Sequence, residues 1–336
     1  AVRVSILMIA PQGLDILFSE ERLEQGRNFM NKLWNSARFI LMNLEDNLPP
    51  KLEKINNDNL DSTDQWILSR LNRTIKEIDI AYSDYKINEA IKKVYNFIWA
   101  DYCDWYIEFA KTRFYGSDKQ DRNIAQSVSV HIMRETLKLL HPYCPFITEE
   151  LWSYFKTDEE KMLILTTWPQ EDGKMINNFI EDEVQVLMDV ISSVRNIRSS
   201  LNVSPGKEAD LIIRGEQNIC NSLSKHKGFL QRLAKLDEIH MGKEVEKPSQ
   251  SATAVIKGLE LFVPLSGLID INKEVERLTK QIHEMEARLA SVNKKMDNKN
   301  FVDRAPENVI DHERGKQKNY QEDLLKLNQN LNSLQK

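Results

Sequence analysis

The chain has 336 residues, of which 41% are hydrophobic and 29% charged, which is typical of a helix-rich protein with two or three domains. Its net charge of -5 excludes a uniformly basic nucleic-acid-binding surface, so any RNA binding has to use local patches. No apolar run reaches membrane-spanning length and no signal peptide is evident, so we expect no membrane partner. The chain opens without Met on an apolar stretch, and we expect it to be part of something longer.

Three cysteines lie far apart, at Cys103, Cys144 and Cys220, without CxxC or Cys/His spacing. They predict neither a zinc site nor a disulfide framework. Free thiols in a core indicate a reducing, cytoplasmic location.

A short apolar element in residues 1–18, closed by a turn at 10–13, precedes the first long helix, predicted from Ser19 to Leu44. One stripe of this helix is apolar and predicts a core-facing side: Leu23, Met30, Leu33, Ala37, Ile40, Leu41 and Leu44. A second stripe is a ladder of polar groups: Asn28, Asn31, Asn35 and Arg38. The ladder either cross-links neighbouring helices or presents amides, Lys32 and arginines to an anionic ligand such as RNA.

After an exposed loop at 49–61, Ser62 and Gln65 are spaced as a capping box that opens a second helix. Trp66 begins its apolar stripe, and Arg70, Arg73 and Lys76 line a basic face. A third helix, 86–113, is rich in aromatic residues, which could stack bases but are more often core. A fourth helix covers 121–140, and Pro145 opens a fifth. We interpret His141 between them as a buried, hydrogen-bonded structural histidine.

Beyond residue 161 the pattern changes to short elements. The sequence predicts a helix at 177–200, a break at 203–206 and a helix at 219–233. Strands are predicted at 163–168, 210–214, 238–242, 252–257 and 260–264, with a possible hairpin turn at Gly258.

From Asp270 onward a heptad seam predicts a long helix that breaks at 297–300 and returns from Pro306. The seam turns polar near the turn, at Glu313 and Gln317. We expect an antiparallel hairpin with a tightly packed base and a looser, basic tip: Lys294, Lys295, Lys299 and Arg304. The alternative is an ordinary oligomerising coiled coil.

The predicted fold class is therefore mainly α. An antiparallel helical bundle, 1–160, is followed by a small α/β linker domain, 161–267, and by a coiled-coil hairpin, 268–336.

Four sequence segments resemble the C-terminal part of class I aminoacyl-tRNA synthetases, specifically the bacterial valyl-tRNA synthetases. Residues 27–39, RNFMNKLWNSARF, resemble the family's RNFxNKxWNxxRF helix. Residues 64–71 and 141–152 resemble the DRWILSRL and HPxxPFxTEELW segments, with Gln65 where the family more often has Arg. Isoleucyl and leucyl enzymes share these in weaker form. Residues 300–309, NFVDRAPENV, resemble the FVxKAPxxVV turn of the valyl arm and favour that family.

The resemblance implies an anticodon-binding bundle and an arm that reaches the outer corner of tRNA(Val), in a monomer. It implies anticodon contacts along the first two long helices: Asn31, Lys32, Asn35, Arg38, Gln65, Trp66 and Arg70. Among them, an aromatic residue such as Trp66 can stack on a splayed loop base. It implies tRNA contacts at the arm tip: Lys294, Lys295, Lys299 and Arg304. A coiled-coil interaction protein without an RNA role, and the same region of an isoleucyl or leucyl enzyme, are the alternatives.

The HIGH and KMSKS signatures that form the adenylate in this family do not occur in the sequence, and neither does a Gly-rich phosphate loop. We therefore expect no catalytic residue, metal site or cofactor in the chain. The resemblance assigns ATP with Mg, valine activation and editing to other domains of the parent enzyme.

Overall fold

The structure is a computed structural model that describes residues 1–9, 20–44, 48–298 and 306–335. Helices dominate it, which confirms the mainly-α fold class. The chain divides into two compact units, Ala1–Gln185 and Val186–Lys336. Residues 161–185 therefore belong to the same unit as the bundle. The turn predicted at 10–13 lies outside the described residues.

The first unit is the predicted helical bundle. Its helices, in chain order, are α1 (Val2–Ile9), α2 (Glu20–Met42), α3 (Ser62–Ser83), α4 (Ile87–Asn96), a π-helical segment (Phe97–Tyr106), α5 (Ile107–Phe114), α6 (Lys119–Leu140) and α7 (Pro145–Phe155). α4, the π-helical segment and α5 follow one another without a break and form the predicted third helix. The interpretation of its aromatic residues as core is confirmed at Phe97, Tyr102, Tyr106 and Phe109, which are at most 2% exposed.

A buried ionic network joins three elements of the bundle. Asp64 is fully buried in the first turn of α3, where it accepts hydrogen bonds from Arg113 Nη1 at 2.6 Å and Tyr106 Oη at 2.7 Å. Arg113 also donates from Nε to Asp121 of α6 at 2.8 Å. Burial raises the pKa of Asp64, and the adjacent guanidinium opposes that rise. Burial also disfavours the charged form of Arg113. The Asp64 carboxylate outweighs this effect and raises the pKa of Arg113, so the guanidinium stays charged.

The start of α3 lies one residue from the predicted cap. Asp61, not Ser62, is the N-cap, and its carboxylate accepts from the backbone N–H of Thr63 at 2.7 Å. Asp64 completes a capping box by accepting from the backbone N–H of Asp61 at 3.1 Å. Aspartate caps a helix as well as serine does, so the overlapping spacing could not decide between them.

The connection after α7 is held by the carboxylate of Glu160. It accepts from Arg134 Nη1 at 2.9 Å and Nη2 at 2.5 Å, and from the backbone N–H of Thr157 at 2.8 Å. The hydrogen bonds from Arg134 lower the pKa of Glu160 to about 2. The strand predicted at 163–168 is wrong, because residues Leu163–Leu165 form a 3₁₀ turn. His141 is half-buried rather than buried, with Nδ1 2.9 Å from the Thr148 hydroxyl.

The second unit contains a four-stranded sheet with strand order β2-β1-β4-β3. Its strands are β1 (Ala209–Arg214), β2 (Leu236–Gly242), β3 (Ser251–Ile256) and β4 (Leu259–Pro264), and they confirm the four strands predicted after residue 200. β1 and β2 are parallel and are connected through α9 (Gln217–Lys225) and α10 (Lys227–Ala234), where one helix was predicted. α8 (Asn178–Ser200), which contains the boundary between the units, confirms the helix predicted at 177–200.

The β3–β4 hairpin turn confirms the prediction at Gly258. Ile256 pairs with Leu259, so Lys257 and Gly258 form a two-residue turn with positive φ at both positions, +44° and +80°. A type I′ turn requires this backbone, and glycine adopts it without strain.

The arm is an antiparallel pair of helices, α11 (Ile271–Met296) and α12 (Glu307–Gln335), which confirms the predicted hairpin. Leu278, Ile282 and Val292 are buried in its seam. The polar seam positions find partners: Gln317 donates to Asn293 Oδ1 at 2.7 Å, and Glu313, 6% exposed, pairs with lysines. The described helix segments next to the tip are therefore polar and cross-linked.

Replacement of Arg113 by methionine should lower the free energy of unfolding by about 3–5 kcal/mol, because it leaves the Asp64 carboxylate buried without its cation. Chemical denaturation monitored by circular dichroism measures the loss. Lys93→Met removes a cation from the half-exposed pair with Glu77 and should cost less than about 1 kcal/mol. Equal losses for the two variants would contradict a special role for the Asp64–Arg113 pair.

Glu160 should make the bundle sensitive to acid. Because its folded pKa lies below the ordinary value of 4.5, its stabilisation is complete above that value and disappears as the pH falls toward about 2. Glu160→Gln should therefore lose less stability than the native chain between about pH 5 and about pH 3 in denaturant titrations. Glu89→Gln, at an exposed position on α4, should follow the native profile. Parallel curves for native and Glu160→Gln chains would refute the assignment.

Candidate nucleic-acid interface

The outer face of α2 carries the polar ladder predicted from the sequence. Asn28, Asn31, Asn35 and Arg38 are all exposed, and their side chains have no hydrogen bond to other described residues. On the opposite side of the helix, Leu33, Ala37 and Ile40 are fully buried. The core stripe is thus confirmed, and the ladder does not brace neighbouring helices within the described bundle. Its amides and guanidinium are available to a ligand.

Helix α7 lies beside this face and adds aromatic rings to it. A groove of about 340 Å³ is lined by residues of both helices: Trp34, Arg38, Leu41, Met42, Leu151 and Tyr154. A second groove, of about 600 Å³, has Asn31 of α2 and Phe146 of α7 in its lining. We call six exposed side chains the α2–α7 surface. Five of them line these grooves, namely Asn31, Trp34, Arg38, Phe146 and Tyr154, and the sixth, Asn35, follows Trp34 on α2.

Lys32 belongs to the same helix but not to this surface. Its ammonium forms an ion pair with Asp104 at 2.5 Å and lies 3.8 Å from the centre of the Trp99 ring. Both partners lie on the π-helical segment. The charge of Lys32 is therefore already compensated within the bundle.

The candidates on α3 have inward partners as well. Trp66 is 2% exposed and packs edge-on against Phe109, so the stacking on a base inferred from the resemblance is corrected: its ring is part of the core. Its position in the apolar stripe already indicated that role. Gln65 donates from Nε2 to the backbone carbonyl of Leu60 at 3.1 Å.

Arg70 lies in an ionic cluster on α3. Its guanidinium donates to Asp101 at 2.9 Å and to Glu181 at 3.3 Å, and Arg73 donates to the same Glu181 at 3.1 Å. Burial opposes the charge of Glu181, but hydrogen bonds from Ser69 and Arg73 lower its pKa. The basic face predicted for α3 is thus neutralised by acids, and Arg70 does not join the ladder of α2.

At the arm tip, the structure describes two of the four candidate residues. Lys294 is exposed, whereas Lys295 pairs with Glu313 at 3.4 Å. Lys299 and Arg304 lie outside the described residues, as does most of the FVDRAP turn.

The thiols and carboxylates do not assemble a reactive centre in the described part of the chain. No group of three His, Cys, Asp or Glu side chains there could hold a metal ion. Cys103, Cys144 and Cys220 are buried and unbridged, and burial raises the thiol pKa to about 11 for Cys103 and about 12 for Cys144. Thiols with such pKa values are poor nucleophiles at neutral pH. No described helix is long and apolar enough to cross a membrane.

Three aromatic residues of the surface were missed as candidates in the sequence: Trp34, Phe146 and Tyr154, which are 41%, 87% and 51% exposed. A signal existed for Trp34, because it directly precedes Asn35 in the ladder and lies outside the apolar stripe of its helix. Phe146 and Tyr154 gave no such signal. Only the packing of α7 shows which of its aromatic rings stay exposed.

Comparison with known proteins locates two families in the chain. The anticodon-binding domain of tRNA ligase matches residues 64–213, and the valyl-tRNA synthetase tRNA-binding arm matches residues 270–335. The second match coincides with α11 and α12, and the first begins at Asp64.

Whole-chain relatives are valine--tRNA ligases. The one from Fusobacterium nucleatum is 36% identical over 100% of this chain and 38% of its own length. The one from Oceanobacillus iheyensis is 34% identical over 99% of this chain and 38% of its own length. The one from Clostridium acetobutylicum is 36% identical over 96% of this chain and 36% of its own length. A solved leucyl-tRNA synthetase complex from Agrobacterium radiobacter K84 covers 52% of this chain and 20% of its own, with a TM-score of 0.39 and 17% identity, too low a likeness for any conclusion to rest on it.

The chain spans less than two fifths of the length of these relatives. Its two family matches lie in the order in which the bundle and the arm occur in the structure. The chain is thus similar over its whole length to the C-terminal part of valine--tRNA ligases, and the two families that it matches are an anticodon-binding domain of tRNA ligases and the tRNA-binding arm of valyl-tRNA synthetases.

Proposed function

We propose that the chain is the tRNA-recognition part of a valine--tRNA ligase and that its ligand is tRNA(Val). The observation that carries the proposal is the α2–α7 surface, where three polar ladder residues and three aromatic rings are exposed. The other candidate residues of the bundle have their partners within it. Exposed amides, a guanidinium and aromatic faces are the groups that bind unstacked bases of single-stranded RNA.

The anticodon loop binds at the α2–α7 surface in this proposal. Asn31 and Asn35 each offer an amide donor and acceptor to base edges, and Arg38 offers a planar fork of donors. None of these three side chains forms a hydrogen bond with another described residue. RNA can therefore bind them without breaking such a bond, whereas binding to Arg70 would disrupt its ion pairs with Asp101 and Glu181.

The arm contacts the outer corner of the tRNA through the lysines at the end of α11. Lys294 is exposed there and can neutralise a phosphate. The cross-linked polar seam next to it, Gln317 with Asn293 and Glu313 with Lys295, fixes the pairing of the two helices near the tip. Because the two arm helices pair with each other, their apolar seam is occupied within one chain, which supports a monomer.

Chemistry belongs to other parts of the parent enzyme in this proposal. ATP with Mg and valine bind there, and the present chain alone neither activates valine nor edits, since it has no HIGH, KMSKS or Gly-rich phosphate motif. Protein synthesis in a reducing cytoplasm is compatible with the three unbridged thiols.

The chain should bind a tRNA(Val) transcript more tightly than a leucine or isoleucine transcript at moderate salt. The valyl-type arm and anticodon surface supply the discrimination, while phosphate contacts alone would bind all three alike. Filter binding or fluorescence anisotropy measures the affinities, and light scattering should report one chain in the free protein. Equal affinities for all transcripts would refute the proposal, and a stable dimer would favour a coiled-coil assembly role.

Arg38→Ala should weaken binding of tRNA(Val) by about 1–3 kcal/mol, the cost of losing a bidentate contact to a base. Lys92→Ala is the matched control, because it removes an exposed cation of α4 outside the α2–α7 surface. This variant should weaken tRNA binding far less, because it loses only one positive charge and no base contact. If the two variants bind alike, Arg38 makes no base contact.

A further inference from the structure

The smaller groove of the α2–α7 surface has an unusual lining for an exposed site. Its volume is about 340 Å³, at the lower end of the range for pockets that take a small molecule. Leu151 in the lining is only 2% exposed, whereas Trp34, Met42 and Tyr154 are 41%, 71% and 51% exposed. The groove is therefore an open, mainly apolar slot with aromatic rings at the surface.

The rings of Trp34 and Tyr154 do not stack on other aromatic rings of the described residues. Neither Trp34 nor Tyr154 makes a ring–ring contact within the described residues, although many aromatic residues of the bundle do. The Tyr154 hydroxyl donates to Glu150 Oε1 at 3.1 Å, which restrains the side chain and leaves its ring exposed. Large aromatic side chains usually bury their faces, so two such rings at one groove indicate a ligand with a flat apolar face.

The charge at the groove restricts the ligand further. Arg38 lines it, is exposed and has no acidic partner among the described residues. Two other cations of the bundle that were candidates for RNA binding are paired instead: Lys32 with Asp104 and Arg70 with Asp101. An uncompensated guanidinium beside aromatic rings favours a flat ligand on an anionic backbone over an apolar peptide.

We propose that this groove binds one unstacked base of single-stranded RNA, which stacks against Trp34 and Tyr154 with Arg38 at its edge. The inference rests on the proposed function and adds to it the binding site of a single anticodon-loop base. It assigns the stacking role to Trp34 and Tyr154 in place of the buried Trp66.

The first test uses the native chain and hairpin RNAs with the anticodon-loop sequence of tRNA(Val). Each loop nucleotide in turn is replaced by an abasic one, and affinity is measured by fluorescence anisotropy. One position should lose about tenfold in affinity, because its base can no longer stack. Equal affinity at every abasic position would overturn the inference without any protein variant.

The second test asks whether that base stacks on the two rings. Trp34→Ala and Tyr154→Ala should each weaken binding of the intact hairpin by about fivefold or more, yet have little effect on the hairpin that lacks the sensitive base. Trp34→Phe should retain most of the affinity. Phe179→Ala removes a 73% exposed ring from α8 and serves as the control, with binding like that of the native chain. Thermal unfolding confirms that each variant is folded.

The outcomes separate the inference from the proposed function. If the native chain prefers the intact hairpin to one with a scrambled loop, but Trp34→Ala and Tyr154→Ala bind like the native chain, only the groove assignment is wrong. If the native chain shows no preference for the intact hairpin, the proposed function itself fails. Equal losses by the variants on intact and abasic hairpins would also overturn the groove assignment, because the rings would then act without the base.

Discussion

The buried pair of Asp64 and Arg113 is the interaction on which the first unit depends. Asp64 caps its own helix by accepting from the backbone of Asp61, and the same carboxylate binds Arg113 and Tyr106. One fully buried side chain thus fixes the start of α3 against the long helix that contains α5, and Arg113 extends the contact to Asp121 of α6. Ionic groups so deeply buried are tolerated only when all of them are paired, and each partner therefore restricts the position of the others.

The candidate residues of the first unit divide into those held in its interior and those left exposed. Trp66 and Phe109 fill the core, while Lys32 and Arg70 are held by acids of the π-helical segment. The outer face of α2 receives no such partner within the described bundle. Its polar side chains and the neighbouring rings of α7 are left exposed.

The sequence predicts the helices, the strand hairpin and the arm because these follow from hydrophobic period and turn chemistry. It does not predict which aromatic ring is exposed. Trp66 and Trp34 both lie in helices within recognisable motifs, and only the apolar stripe around Trp66 distinguished core from surface. The run Leu163–Leu165 was mistaken for a strand because a short apolar run has no diagnostic period, and the structure leaves Ile164 and Leu165 exposed in a 3₁₀ turn. Salt bridges such as Arg70 with Glu181 join residues far apart in sequence, so helix spacing alone could not reveal that this basic face is neutralised.

We propose that the chain recognises tRNA at the α2–α7 surface and not at the basic face of α3. A structure of the chain bound to a tRNA(Val) transcript, determined by cryo-electron microscopy or crystallography, tests it most directly. We expect unstacked anticodon-loop bases against α2 and α7, with Arg70 and Arg73 still paired to Glu181. An anticodon loop seated on α3, with those pairs broken, would contradict it.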